Sequence, residues 1–160
     1  MSADVDGPTQ GAQALRVLLA RVAQALDLDA QVKIEEDTER LVGTLEGEEL
    51  GLFIGRHGQT IEAVQHLAQR VVGEHEGDPR RRVIVDAAGY RARREQVLQR
   101  QAEEAAESAL STGRPVALDA MTSSERRVVH EYLRDRGDVE THSEGQEPDR
   151  HLVVTPKAAV

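Results

Sequence analysis

Between Gln31 and Gly47 two short runs repeat with a period of two, and on either side of that stretch the apolar residues fall three and four apart. The first period belongs to a half-buried strand and the second to an amphipathic helix, so the chain must pack helices against a sheet. In QVKIEED, Val32 and Ile34 alternate with Lys33 and Glu35, and in ERLVGTLEG, Leu41, Gly43 and Leu45 fall on one side. The two runs predict a hairpin turning at Asp37-Thr38. Ahead of them, Leu15, Leu18, Leu19 and Val22 belong to a predicted helix over 12–28, with Thr9 placed to cap it. Residues 1–9 are small and polar and are expected to be a disordered tail.

After Gly51 a short strand-like lead-in, Leu52 to Ile54, runs into Gly55 and Gly58. Ile61, Val64, Leu67, Ala68 and Val71 then predict a second helix ending near Gly73, with GEHEGDP as a loop and RRRVIVDAAG as a strand bounded by Gly89. Residues 90–111 are rich in Ala and other good helix formers, and Gly113 and Pro115 stop that run. PVALD is a short strand candidate, and Thr122 with Glu125 has the capping-box spacing ahead of a helix over 124–134. DVETHSEG and DRHLVVTP close the chain as two strands joined by GQEPD. The expected fold class is α+β, in two small domains. The first runs helix, two strands, glycine-loop helix, strand; the second runs helix, strand, helix, two strands.

Composition then removes several classes of function. The chain has no Cys, which excludes disulfides, thiolate zinc sites and a Cys nucleophile. No apolar run approaches the length of a membrane span, so no membrane insertion is expected. The N-terminus MSADVDGPTQG has neither a basic nor an apolar signal segment, and a cytoplasmic location follows as the default. One Phe, two Tyr and no Trp leave an aliphatic core, and they are too few for the aromatic platform on which RRM sheets and OB-folds stack bases. The net charge of −9 opposes polyanion binding, but its distribution is uneven. Residues 1–50 carry eleven acidic and four basic side chains, whereas residues 80–100 carry seven Arg against Asp86 and Glu95.

Two motifs remain as candidates. With 13 Gly in 160 positions, about one G-x-x-G is expected by accident, so the setting of Gly55-Arg56-His57-Gly58 matters more than the pattern. Glycines allow a backbone to pass close to the turn. The start of the following helix favours an anion, and Arg56 and His57 occupy the tip. A nucleotide-binding loop fits poorly, because no Lys follows at P-loop spacing and no βαβ unit precedes. Arg126 and His130 stand four apart on a predicted helix and could share one phosphate, with Arg127 adding charge on an adjacent face. His57, His66 and His75 are spaced by nine, without clustered carboxylates, so no metal site is expected. No Ser/His/Asp constellation is readable either; no enzyme, cofactor or small-molecule substrate is expected. A chain short of aromatics that binds single strands must do so through backbone clamping and charge, as a KH domain does.

LFIGRHGQTIEAVQHL resembles the KH segment of the bacterial Jag family, the SpoIIIJ-associated or KhpB proteins. RRVIVDAAGYRARRE resembles that family's strand and linking helix, SSERRVVHEYL its Arg-xxx-His (R-three-H) signature, and SEGQEPDRHLVVTP its closing hairpin. The matches occur in the family's order over roughly residues 30–156. The resemblance implies a type II KH domain over 10–88 and an R-three-H domain over 89–157 with an N-terminal linking helix, followed by a tail at 158–160. It implies a short form without the family's N-terminal Jag domain. It further implies single-stranded RNA binding and post-transcriptional regulation linked to cell elongation and division, with a small KH-domain protein, or a second copy of the chain, as partner. Carried over by position, Gly55, Arg56, His57 and Gly58 form the clamp with Thr60 beside them. Arg126 and His130, with Arg94 and Arg127, hold a second stretch of backbone. The competing expectation is a protein-interaction adaptor that uses the KH fold for dimerisation.

Overall fold

The computed structural model describes residues 7–76 and 81–158. Of the tail expected at 1–9, residues 1–6 lie outside the described residues, as do residues 77–79 of the GEHEGDP loop, Arg80 of the basic cluster and residues 159–160 of the tail expected at 158–160. The chain forms two compact units that divide between Tyr90 and Arg91.

The first unit opens with α1 (Gln10–Ala25), whose N-cap Thr9 accepts a hydrogen bond from the Ala12 amide at 3.1 Å. The expected end at residue 28 is three residues too late. Asp27 adopts a left-handed φ of 53°, and the Leu28 amide returns to the Ala23 carbonyl at 2.9 Å, which closes the helix without a glycine. Strands β1 (Gln31–Glu36) and β2 (Arg40–Glu46) form the expected antiparallel hairpin. The Asp37 carboxylate fixes its turn by accepting from the amides of Glu39 and Arg40, both at 2.8 Å. A helical turn α2 (Gly51–Ile54) and helix α3 (Gln59–His75) then carry the chain to β3 (Arg82–Ala87), which lies parallel to β2. The sheet order is β1-β2-β3.

Leu41, Gly43 and Leu45 of β2 face inward with Val83, Val85 and Ala87 of β3, against Leu15 and Leu19 of α1 and Ile61, Val64, Ala68 and Val72 of α3. Gly43 permits this layer: a Cβ there would stand 2.5 Å from Leu19 Cδ1 and 2.9 Å from Leu15 Cδ2. The strand-like reading of Leu52 to Ile54 is corrected. The amides of Phe53 and Ile54 both bond to the Leu50 carbonyl, which makes the lead-in a helical turn that buries Phe53.

Helix α4 (Tyr90–Thr112) starts at the last residue of the first unit, and in the second unit it buries Leu98 and its alanines at 102, 105, 106 and 109. The short β4 (Val116–Ala117) follows, then α5 (Ser123–Arg134), β5 (Val139–Glu144) and β6 (His151–Pro156). The sheet order is β4-β6-β5, with both pairings antiparallel. Thr122 and Glu125 form the expected capping box at the start of α5. PVALD contributes only two paired residues, although the Leu118 amide still reaches the Leu152 carbonyl. The two small α+β units have the element orders that the resemblance implies.

Glu36, Asp37, Glu131 and Asp138 all link stability to pH, and the first and last tie separate elements together. Burial pushes the Glu36 carboxyl up, but hydrogen bonds from Thr9 and Arg81 outweigh it and hold the group below its ordinary 4.5. Hydrogen bonds from Arg136 hold Asp138 below its ordinary 3.8. A lowered carboxyl contributes stability that is complete above the unfolded-state value and is lost as the pH falls through the folded-state value. Thermal melts are therefore expected to be level down to about pH 5 and to shift to lower temperature below about pH 4. A level profile through the acid range would show that these pairs contribute nothing.

Candidate nucleic-acid interface

The loop after α2 is built by three left-handed residues. Gly55 has φ 76° and ψ 173°, His57 φ 54° and ψ 26°, and Gly58 φ 72° and ψ 15°. The Gly55 conformation belongs to a region that only glycine occupies readily. Thr60 packs directly over its α-carbon: an added Cβ would meet the Thr60 side chain and stand 2.8 Å from the Thr60 amide nitrogen. Gly58 is buried, and a Cβ there would stand 2.9 Å from the Tyr90 hydroxyl. Arg56 is exposed at the tip and His57 is half-buried beside it. The 17-residue helix α3 starts immediately afterwards, and no side chain caps its N-terminus. Its first amides and the positive end of its dipole are thus presented at the glycine turn. Glu62 is the acidic residue of that first turn and shares the same positive end. The structure brings Gly55, Arg56, His57 and Gly58 into one turn, with Thr60 in the first turn of α3 packed against Gly55.

In the second unit the four sequence-derived candidates are placed differently from one another. Arg126 is buried. Its Nη1 donates to the Met121 carbonyl at 2.7 Å and its Nη2 to Glu147 Oε1 at 2.8 Å. His130 is exposed and shares a hydrogen bond between Nδ1 and the Thr141 hydroxyl of β5. The four-residue spacing therefore does not turn both heads outward: Arg126 braces the start of α5 and the β5–β6 turn, while His130 faces solvent. Arg94 donates to Glu125 Oε1 at 2.6 Å, the same carboxylate that completes the capping box. The exposed Arg127 donates to Glu131 at 2.8 Å and holds that carboxyl below its ordinary value.

Sequence reasoning missed a feature on the outer edge of the first sheet. β3 is an edge strand, yet its outward groups are covered by side chains. Gln65 Nε2 donates to the Val83 carbonyl at 2.6 Å, and Gln65 Oε1 accepts from the Val85 amide at 2.7 Å. The Asp86 carboxylate accepts from the Ala87 amide at 2.8 Å. A Gln on an amphipathic helix carries no sequence signal for this role. Among the described residues no cluster of His, Asp or Glu could hold a metal ion, and no helix is long and apolar enough to cross a membrane.

Comparison with known proteins gives two domain matches. Residues 12–85 match the KhpA/KhpB KH domain, and residues 96–156 match the R-three-H domain. Among whole proteins, the chain is similar to the RNA-binding protein KhpB of Lactiplantibacillus plantarum, with 37% identity over 89% of the chain and 44% of the relative. The protein of the same name in Clostridium symbiosum is 34% identical over 87% of the chain and 63% of its own length. That of Bacillus subtilis is 31% identical over 91% of the chain and 70% of its own length. The chain thus spans 44% and 63% of the first two relatives.

Proposed function

The chain belongs to the KhpB family, and on that premise we propose that it binds single-stranded RNA, with the backbone held over the Gly55–Gly58 loop. The observation that carries this reading is the uncapped start of α3, reached through two glycines of positive φ with Arg56 at the tip. The α3 amides accept a phosphate, Arg56 and His57 add charge, and Thr60 keeps the turn closed over Gly55. On α5, His130 and Arg127 are the outward groups for a second stretch of backbone. Arg126 and Arg94 set the position of that helix and become available to phosphate by exchanging their carboxylate partners. The functional units are taken as residues 10–88 and 89–157. The resulting role is post-transcriptional regulation in the cytoplasm, linked to cell elongation and division, with a small KH-domain protein as partner.

Substituting Arg56→Asp and His57→Asp together tests the clamp. Both positions lie outside the glycine constraints, and Asp tolerates the left-handed conformation at 57 better than most residues. In fluorescence anisotropy with a labelled single-stranded RNA, affinity is expected to fall about tenfold or more, with a shallower dependence on salt. Unchanged affinity in a folded variant would rule out the loop as the contact. A second reading, an adaptor that dimerises through its KH fold, is favoured by the two most exposed large apolar side chains of that unit, Leu52 at 65% and Leu67 at 53% exposure, with Val17 less exposed at 41%. It predicts a change of oligomeric state, and none of RNA affinity, when these two leucines are replaced by serine.

A further inference from the structure

The outer edge of β3 is a place beside the clamp where backbone donors and acceptors could read a nucleobase. Gln65 lies six residues beyond Gln59, which places it about 9 Å along α3 from the loop. Its carboxamide presents a donor and an acceptor side by side in one plane, as the hydrogen-bonding edge of a base does. Both are spent on β3, the donor on the Val83 carbonyl at 2.6 Å and the acceptor on the Val85 amide at 2.7 Å. The bonds are partly buried, so breaking them without replacement leaves two backbone groups unsatisfied.

We propose that Gln65 withholds base readout in this chain: by occupying the Val83 carbonyl and the Val85 amide, it stands where a base edge would bind and leaves the KH unit to hold RNA by its backbone. An incoming base must displace two existing hydrogen bonds to form two new ones, and the exchange yields little net free energy. Phosphate contacts are untouched by this competition, because they fall on the start of α3, about 9 Å along the helix from Gln65. Specificity then depends on a side chain rather than on the strand. The proposal rests on the clamp reading above and deepens it.

The test measures the affinities of the full chain for adenine, cytosine and uracil octamers, with Gln65→Ala and Gln65→Met beside the unaltered protein. Methionine keeps nearly the length of glutamine and fills its space without bonding β3, so it serves if alanine loosens the fold. The unaltered chain is expected to bind the three within about threefold of one another, as sequence-independent binding requires. Either variant is expected to spread them by about fivefold or more, the discrimination that one bidentate base contact supplies. Hydrogen exchange at the Val85 amide, without RNA, is expected to accelerate in both variants. Variants that bind with the same preferences as the unaltered chain overturn the role of Gln65 and leave the clamp standing. Failure of the unaltered chain to bind any octamer sinks both ideas. Self-association of the variants with unchanged RNA preferences also overturns the proposal, and assigns the cap to guarding a sheet edge from another strand.

Discussion

Arg81→Leu is expected to destabilise the first unit by about 2–3 kcal/mol, below the range for a fully buried ion pair because Glu36 keeps part of its hydration. The Arg81 side chain is only 12% exposed, with Nη1 at 2.6 Å from Glu76 and Nη2 at 2.9 Å from Glu36. It also reaches the hydroxyl of Thr9, the residue that caps α1. One guanidinium therefore joins the start of α1, the end of β1, the end of α3 and the approach to β3. Glu76 is pressed against Gly11, so its carboxylate has no easy route to water once the arginine is gone. Two carboxylates would remain close together in a poorly hydrated place, and like charges there repel strongly. Urea unfolding followed by hydrogen exchange within β1–β3 measures the loss. The double variant Arg81→Leu with Glu76→Gln is expected to recover part of it, since the stranded charge is then removed. An unchanged midpoint for Arg81→Leu would show that the network is incidental.

Gly55→Ala is expected to cost about 2–4 kcal/mol and to abolish tight RNA binding, combining backbone strain with a steric clash. The clash is with the Thr60 amide nitrogen, 2.8 Å from the added carbon, and this backbone atom cannot swing aside. Gly58→Ala should be milder, about 1–2 kcal/mol for an alanine in the left-handed region, because its nearest contact is the Tyr90 hydroxyl at the far end of a side chain. The two glycines look equivalent in the motif and are unequal in the molecule. Equal losses in thermal melts of the two variants would contradict that ranking.

Much of the fold is legible in the sequence because local periodicity dictates it. The spacing of Leu15, Leu19 and Val22, the alternation about Ile34 and Leu45, and the Thr122/Glu125 cap each specify an element from residues that touch within it. The lead-in to the loop failed for the opposite reason: three apolar residues do not distinguish a period of two from one of 3.6. The parallel pairing of β2 with β3 is absent from local pattern because it is set by packing across the unit. At the site, the glycine turn is readable from Gly55 and Gly58 and the helix behind them. The inward turn of Arg126 is not, since its charge argues for solvent until the Met121 carbonyl and Glu147 are known to meet it. Gln65 and Arg81 are hidden in the same way, because the partners of Gln65 lie 18 and 20 residues away in sequence and those that tie Arg81 to α1 and β1 lie 72 and 45 away.

The scarcity of aromatic residues has a practical side in the placement of the two tyrosines. Tyr90 sets its hydroxyl against Gly58 of the clamp, and Tyr132 stands 42% exposed on α5 of the second unit. With no tryptophan to mask them, the intrinsic ultraviolet emission of the chain comes from one phenol in each unit. Tyr132→Phe would leave a chain whose sole phenol touches the glycine turn, so that occupancy of the loop can be followed optically without attaching a dye to the protein or to the RNA.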